Sequence, residues 1–271
     1  MKNPLILSGL LLVCLALLSG GCTATKYTLR AESTWKNGVT PVTVPTKYRY
    51  APCKGEYRYE STDNLSGTTK TEVMFLKYSV MEVQQRLIWH TFLHKFSCKG
   101  KMYQPALPVF DFTADSDSKG SIGELSFNSP LAESLSGEAK GRILAEIDRI
   151  NISASQFSGE LPEQGITTGD PIRGITFVAP PEGFSVDKDS TNLVLLGEFT
   201  LNGTTYVSTQ MNDTFALIDN NFGKIGDMKV KGFCIMKKET METEYVRVDI
   251  KVINYDNGKQ NSVKIEIEKI S

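Results

Sequence analysis

The side chains able to do chemistry are few, and their spacing limits what each can do. His90 and His94 are the two histidines of the chain. On a helix, a spacing of four would place both imidazoles on one face, as in zinc sites. The Glu of a His-Glu-x-x-His motif is missing, because position 91 is Thr. On a strand the two rings share a face roughly 13 Å apart, too far for one metal. Trp89, Thr91, Phe92 and Leu93 surround them, so the segment reads as a strand with surface histidines. Of the five cysteines, Cys53 and Cys98 each stand beside turn-forming residues, Pro52 and Lys54-Gly55 in one case and Lys99-Gly100 in the other. In an oxidising compartment these two are expected to pair. The bridge would close a loop of about 45 residues and contribute roughly 4 kcal/mol in the chain-entropy model. Cys234, between Phe233 and Ile235-Met236, reads as a buried free thiol.

Residues 115–122, Asp-Ser-Asp-Ser-Lys-Gly-Ser-Ile, match the opening of an EF-hand calcium loop at positions one, three, six and eight. Lys119 stands where the fifth position needs an oxygen, and Ser126 where the twelfth needs a bidentate Glu. Two ligands are lost and a repelling charge is gained, so this is an acidic surface turn. No G-x-S-x-G elbow, P-loop or G-x-G-x-x-G fingerprint occurs. No catalytic residue, metal ligand or cofactor is assigned, and the reading leans away from an enzyme. Four Asn-x-Ser/Thr sequons, at Asn64, Asn151, Asn202 and Asn212, are read as chance matches.

The N-terminus reads as an address. Lys2 precedes a run from Leu5 to Leu18 that is almost wholly apolar, followed by Ser19-Gly20-Gly21 and then Cys22. The apolar run is shorter than the ~18–20 residues of a comfortable bilayer span, and the three-part layout is that of a secretory signal. Leu18-Ser19-Gly20-Gly21-Cys22 resembles the lipobox of bacterial lipoproteins, with the Leu four residues before the Cys instead of three. The resemblance covers residues 1–22 and implies cleavage before Cys22, acylation of its thiol and amine, and membrane anchoring through the lipid. Two or three acyl chains suffice for a stable anchor. Thr23 in place of Asp implies an outer-membrane destination in a diderm organism. The competing readings are an ordinary secretory signal and an uncleaved anchor.

The remaining chain divides by composition. Residues 22–46 are Thr-rich, carry Pro41 and Pro45, and keep no helical or strand period, so they are read as a flexible tether. Trp35 is the residue there that could dock on the body. Residues 47–271 form the body. Val246, Val248, Ile250 and Val252 alternate with charged residues, and Val263, Ile265 and Ile267 with Lys264, Glu266 and Glu268, across Asp256-Asn257-Gly258. That is a hairpin with one wet face. A second hairpin turns at Asn202-Gly203, and Leu193–Leu196, apolar on both faces, suggests a central strand. Val230, Gly232, Cys234 and Met236 share a face of a further strand. Residues 69–98 read as two long strands meeting near Gln84-Gln85. Residues 142–157 fit a bulged strand, with a helix over about 131–149 as the alternative. The Gly- and Pro-rich stretch 158–183 is the candidate boundary between two subdomains, or one long crossover.

The fold class expected is mainly β: a large antiparallel curved sheet, sandwich or incomplete barrel with few short helices. A formal net charge of -1 across 271 residues argues against a nucleic-acid partner. The sequence points to a membrane-anchored envelope lipoprotein that binds a protein, a glycan or an apolar, lipid-like ligand. A structural or adhesion lipoprotein is the alternative, and an exported hydrolase ranks last.

Overall fold

The computed structural model describes residues 29–65, 67–98, 100–137, 140–141, 160–176, 184–187, 190–219, 221–254 and 260–271. Period-two alternation builds nearly all of it. The strands are β1 Cys53–Leu65, β2 Thr68–Val83, β3 Arg86–Cys98, β4 Lys101–Tyr103, β5 Phe110–Ser116, β6 Ile122–Asn128, β7 Pro171–Thr176, β8 Phe184–Val186, β9 Ser190–Leu201, β10 Thr204–Asp219, β11 Gly223–Lys237, β12 Thr243–Asn254 and β13 Gln260–Lys269. Two four-residue helices accompany them, α1 Glu32–Trp35 and α2 Pro130–Glu133. The expected β class is therefore the observed one: a single antiparallel, curved and unclosed sheet.

The sheet runs β6-β5-β3-β2-β1-β13-β12-β11-β10-β9-β7, with β4 appended to β3 and β8 to β10. It is two meanders fused where β1 pairs with β13, Tyr57 opposite Lys269 through to Asn64 opposite Ser262. The two long strands expected over 69–98 are β2 and β3. Val83 pairs with Arg86, and Gln84 and Gln85 make the two-residue turn at φ 51° and 65°, the doubly positive pattern of a tight hairpin. The Asn202-Gly203 hairpin is present, with Asn202 at φ 50° and Thr204 opposite Leu201. The C-terminal hairpin is β12–β13, Tyr245 opposite Glu268. Its Asp256-Asn257-Gly258 turn lies outside the described residues, as does the ambiguous segment 142–157.

The curvature follows from the core. Val80 and Leu87 on β2 and β3 share one cluster with Val207 and Val230 on β10 and β11. Six inter-strand steps separate β3 from β10, about 29 Å on a flat sheet, so the sheet curls round that face. The concave side therefore carries the core, with Leu193, Leu195, Val207, Phe215, Val230, Cys234 and Met236 fully buried. The Gly- and Pro-rich stretch, read as either a subdomain boundary or one long crossover, feeds this shared core through Leu161, Ile166 and Ile172. Described residues 160–170 form a connection that leads into edge strand β7 of the same sheet, which continues unbroken from one half to the other.

Of the stretch 22–46, expected as a flexible tether, residues 22–28 lie outside the described residues. From Leu29 onward the chain is a strap packed on the body. Arg30 pairs with Glu268 at 2.6 Å, and the Trp35 ring stacks on Phe233 with centroids 3.9 Å apart. Thr40 and Glu198 exchange backbone hydrogen bonds at 2.7 and 3.0 Å, and Thr46 and Ile166 at 3.0 Å each way. Gly197 sits at φ +148°, where a Cβ would lie 2.5 Å from the Thr40 carbonyl oxygen, so only glycine admits the strap there. The strap then reaches Tyr50, whose N–H donates to the Ser118 carbonyl at 2.7 Å. It thereby closes the end of the half-barrel where β1 and β9 meet their loops.

Candidate binding face

The central strands place their side chains in rungs across the concave face. One rung reads Met74, Tyr59, Ile267, Val246, Cys234 and Thr209 from β2 to β10. The next reads Glu72, Ser61, Ile265, Val248, Gly232 and Met211, and a third Lys70, Asp63, Val263, Ile250, Val230 and Asp213. The middle of each rung is aliphatic. Ile250, Ile265 and Ile267 pack against the core yet, like Tyr59 and Val263, are only half-buried among the described residues, so part of this apolar surface is left open there. Polar groups stand at the rung ends. Ser61 Oγ donates to Asp63 Oδ1 at 2.9 Å, and Thr191 Oγ1 donates to Asp213 Oδ2 at 3.1 Å. An apolar floor with a few polar groups at its margins is the ordinary make-up of a small-molecule site.

The same strands turn charge to the convex side. Arg247 pairs with Asp249 at 2.9 Å, Lys264 with Glu266 at 2.8 Å, and Arg58 with Glu60. The histidines lie here too. His90 Nε2 is 2.8 Å from Asp111 Oδ1 on β5, and His94 Nε2 is 2.7 Å from Glu56 Oε1 on β1. A register shift in the β2–β3 ladder at this point puts His94 in a bulge, and the two rings engage separate carboxylates on different strands. They are surface histidines, as their alternation implied.

The acidic turn at 115–122 is the β5–β6 connection. Asp115 Oδ2 accepts from Arg86 Nε at 2.9 Å and Nη2 at 2.7 Å. The backbone N–H of Glu124, together with this guanidinium, holds the Asp115 carboxyl below its ordinary range. Asp117 Oδ1 accepts from the N–H groups of Lys119 and Ser121 at 2.8 and 3.0 Å. Lys119 in turn pairs with Glu163. The carboxylates thus build the turn that grips the strap.

At the closed end a polar cluster went unread in the sequence. Tyr78 Oη donates to Glu242 Oε1, and Lys269 Nζ donates to Glu242 Oε2 at 2.8 Å and lies 3.6 Å from Glu244 Oε1. Glu242 is 7% exposed. Tyr57 stacks on Tyr78 with centroids 4.3 Å apart. Burial pushes the Tyr78 hydroxyl well above its ordinary value. Burial, the largest single influence, would lower Lys269, but the hydrogen bond to Glu242 and the charges of Glu244 and Glu242 together outweigh it, and the ammonium is held above its ordinary value. Beside them, burial and the charge of Glu242 push the Cys53 thiol up to about 12.

The expected Cys53–Cys98 bridge is not formed. Cys53 is a free thiol. It shares a cross-strand row with Val80 and Trp89, and Cys98 lies nine residues further along β3, about 30 Å away. A disulfide needs Cα atoms within about 7 Å. Cys234 is buried, as expected, and forms no disulfide among the described residues. Cys22 lies outside the described residues. Among those described, no helix is long and apolar enough to cross a membrane, and no group of three or more His, Cys, Asp or Glu is placed to hold a metal.

No family model matches the chain, and no curated protein matches it in sequence. Two solved structures align over most of its length. A DUF1329 family protein from Desulfovibrio piger is 9% identical, with 80% of this chain and 85% of that chain covered at a TM-score of 0.28. An outer membrane lipoprotein-sorting protein domain from Vibrio parahaemolyticus is 10% identical, with 80% and 84% covered at a TM-score of 0.20. At these scores the class rests on the chain's own topology: an unclosed antiparallel β half-barrel with an apolar concave face.

Proposed function

We propose that the chain is a lipid-anchored lipoprotein of the bacterial envelope that binds an apolar, lipid-like ligand on its concave face, without catalysing a reaction on it. The anchor is Cys22, exposed as the new N-terminus when residues 1–21 are removed. The single observation that carries the ligand class is the set of half-buried aliphatic side chains, Ile250, Val263, Ile265 and Ile267, on strands whose opposite face is charged. Apolar area left partly open on a concave surface gains about 25 cal/mol per Å² when a ligand removes it from water. A glycan would need a denser array of hydrogen-bonding groups than the rung ends supply.

The test is native mass spectrometry and solvent extraction of the chain purified from membranes, with uptake of a fluorescent fatty acid by delipidated protein. A co-purified lipid, or saturable uptake, is the expected result. Neither a bound lipid nor measurable uptake would overturn the ligand class. Separately, the mass of the N-terminal peptide is expected to carry acyl groups on Cys22, and an unmodified Cys22 would overturn the anchor.

A further inference from the structure

The strap is held in two different ways along its length. From Thr40 to Tyr50 it is tied by backbone hydrogen bonds. Thr40 and Glu198 bond in both directions, as do Thr46 and Ile166. Thr168 N–H donates to the Val42 carbonyl at 2.9 Å, and Tyr50 N–H to the Ser118 carbonyl at 2.7 Å. Side chains add to these ties: Val42 N–H donates to Thr168 Oγ1 at 2.8 Å, and Tyr48 Oη to Glu198 Oε1 at 2.8 Å.

Before Thr40 the hold is by side chains. Leu29 and Trp35 lie on Phe199, Phe233, Ile235 and Tyr245, on the convex face, where Phe233 stands opposite Arg247. Arg30 pairs with Glu268 at 2.6 Å and stands over the Tyr245 ring, 5.1 Å from its centroid. Among the described residues, the backbone of 29–39 makes one hydrogen bond to the body, the Trp35 carbonyl accepting from Ser208 Oγ. Nor does this segment hold its own shape. α1 is a single turn whose N-cap, Ala31, offers no side-chain acceptor, and a helix of that length does not persist in water. The N–H groups of Thr34, Trp35, Lys36 and Asn37 bond the Ala31 and Glu32 carbonyls, and those bonds last only while the segment is docked. The Trp35 indole N–H, buried without an acceptor among the described residues, regains water on release. Release also uncovers Phe199, Phe233, Ile235 and Tyr245, which keeps the segment docked most of the time.

We propose that Leu29–Val39 is a latch that opens as one unit while Thr40–Tyr50 stays in place, and that its state sets the length of the membrane tether. With the latch closed, seven residue steps separate Cys22 from Leu29, a reach of at most about 25 Å. With it open, the count runs to Thr40, eighteen steps away, a reach of about 60 Å. The closed latch therefore keeps the convex face near the anchoring membrane, and the open one more than doubles the distance over which the concave face can range. The tether length rests on the proposed acylation of Cys22; the latch does not.

Hydrogen exchange of the Cys22→Ser chain, which carries no lipid, tests the latch. Peptides covering 29–39 are expected to exchange through local opening, at a rate that low concentrations of urea hardly change. Their protection should be roughly a hundredfold to a thousandfold, and that of 40–50 at least about tenfold greater and sensitive to urea. Trp35→Ala should abolish the protection of 29–39 while 40–50 stays protected, and Trp35→Phe should keep both. One shared, urea-dependent rate across 29–50, an unprotected 29–39 in the parent, or joint loss across 29–50 in Trp35→Ala overturns the latch. Neutron reflectometry of the acylated chain on a supported bilayer tests the tether. Trp35→Ala should widen the gap between bilayer and protein relative to the parent and Trp35→Phe. An equal gap in all three, with Cys22 shown to be acylated and the latch shown open in Trp35→Ala, overturns the tether length alone.

Discussion

Cys53 shows how far residue chemistry depends on register. Its turn-forming neighbours were legible, and they are the right signal for an accessible strand end. They say nothing of which strands pair or with what offset. The observed offset places the thiol beside Glu242 and Lys269 and keeps it protonated, with its value near 12. A thiol that forms no thiolate at neutral pH is a poor nucleophile. Maleimide labelling followed by peptide mapping is expected to leave Cys53 unmodified in the native chain at pH 8 and to modify it fully in denaturant. Rapid native labelling would contradict the burial of this cluster. Lys269 makes a second prediction. Its folded-state value is raised, so the stability it supplies is complete below about pH 10.4, its unfolded value, and is lost as pH rises through the higher folded value. The raised Tyr78 hydroxyl acts in the same sense above about pH 10. The raised Cys53 thiol acts in the same sense from about pH 9, so denaturant midpoints should be level from pH 7 to 8, begin to fall near pH 9 and fall more steeply above pH 10. Lys269→Met leaves Glu242 without its cation. That should cost about 2–4 kcal/mol at pH 8, below the full range for a buried pair because part of Lys269 stays in water. Its alkaline decline should also be shallower than that of the parent chain.

At the scale of elements, period two was the most legible signal. The strands of 69–98, the turn at Gln84-Gln85 and the C-terminal hairpin follow from local alternation, because each pairs with its sequence neighbour. The strap does not. Its partners are Glu198, Ile166, Phe233 and Ser118, each more than sixty residues away. Its backbone bonds are single bridges, so no period marks it. Trp35 was the one visible hint, a large apolar residue in a polar stretch. The ring lies flat on Phe233, but its indole N–H is buried without an acceptor among the described residues. Trp35→Ala removes packing worth about 3–5 kcal/mol and also relieves that unpaired donor, which offsets about 1 kcal/mol or more. The net loss should be near 3 kcal/mol by urea unfolding. Trp35→Phe, which keeps a stacked ring and drops the donor, should fall within about 1 kcal/mol of the parent chain. Equal stability of all three chains would mean that the strap does not hold the closed end.

At the scale of the whole molecule, the one wet face of each alternating strand supports the β class, whether as a curved sheet, a sandwich or an incomplete barrel. Strands that alternate apolar and charged along their whole length can bury only one side, and many such strands need curvature to bury it together. What the pattern could not supply was how completely that side fills. Ile265 decides the matter, because it sits in the middle rung between Ser61 and Val248 and is only half-buried. If the open aliphatic surface is where a lipid-like ligand lies, a charge at this position must be desolvated whenever the ligand binds, which costs several kcal/mol. Ile265→Lys should therefore reduce fatty-acid uptake at least about a hundredfold, each factor of ten being 1.4 kcal/mol. The neighbouring variant Lys264→Gln changes the convex face of the same strand, where Lys264 pairs with Glu266 at 2.8 Å, and should leave uptake within about twofold, since exposed pairs contribute little. The comparison is valid where both variants keep the far-ultraviolet dichroism of the parent sheet. Uptake lost equally on both faces would point to general destabilisation, and uptake kept in Ile265→Lys would place the ligand away from the central rungs.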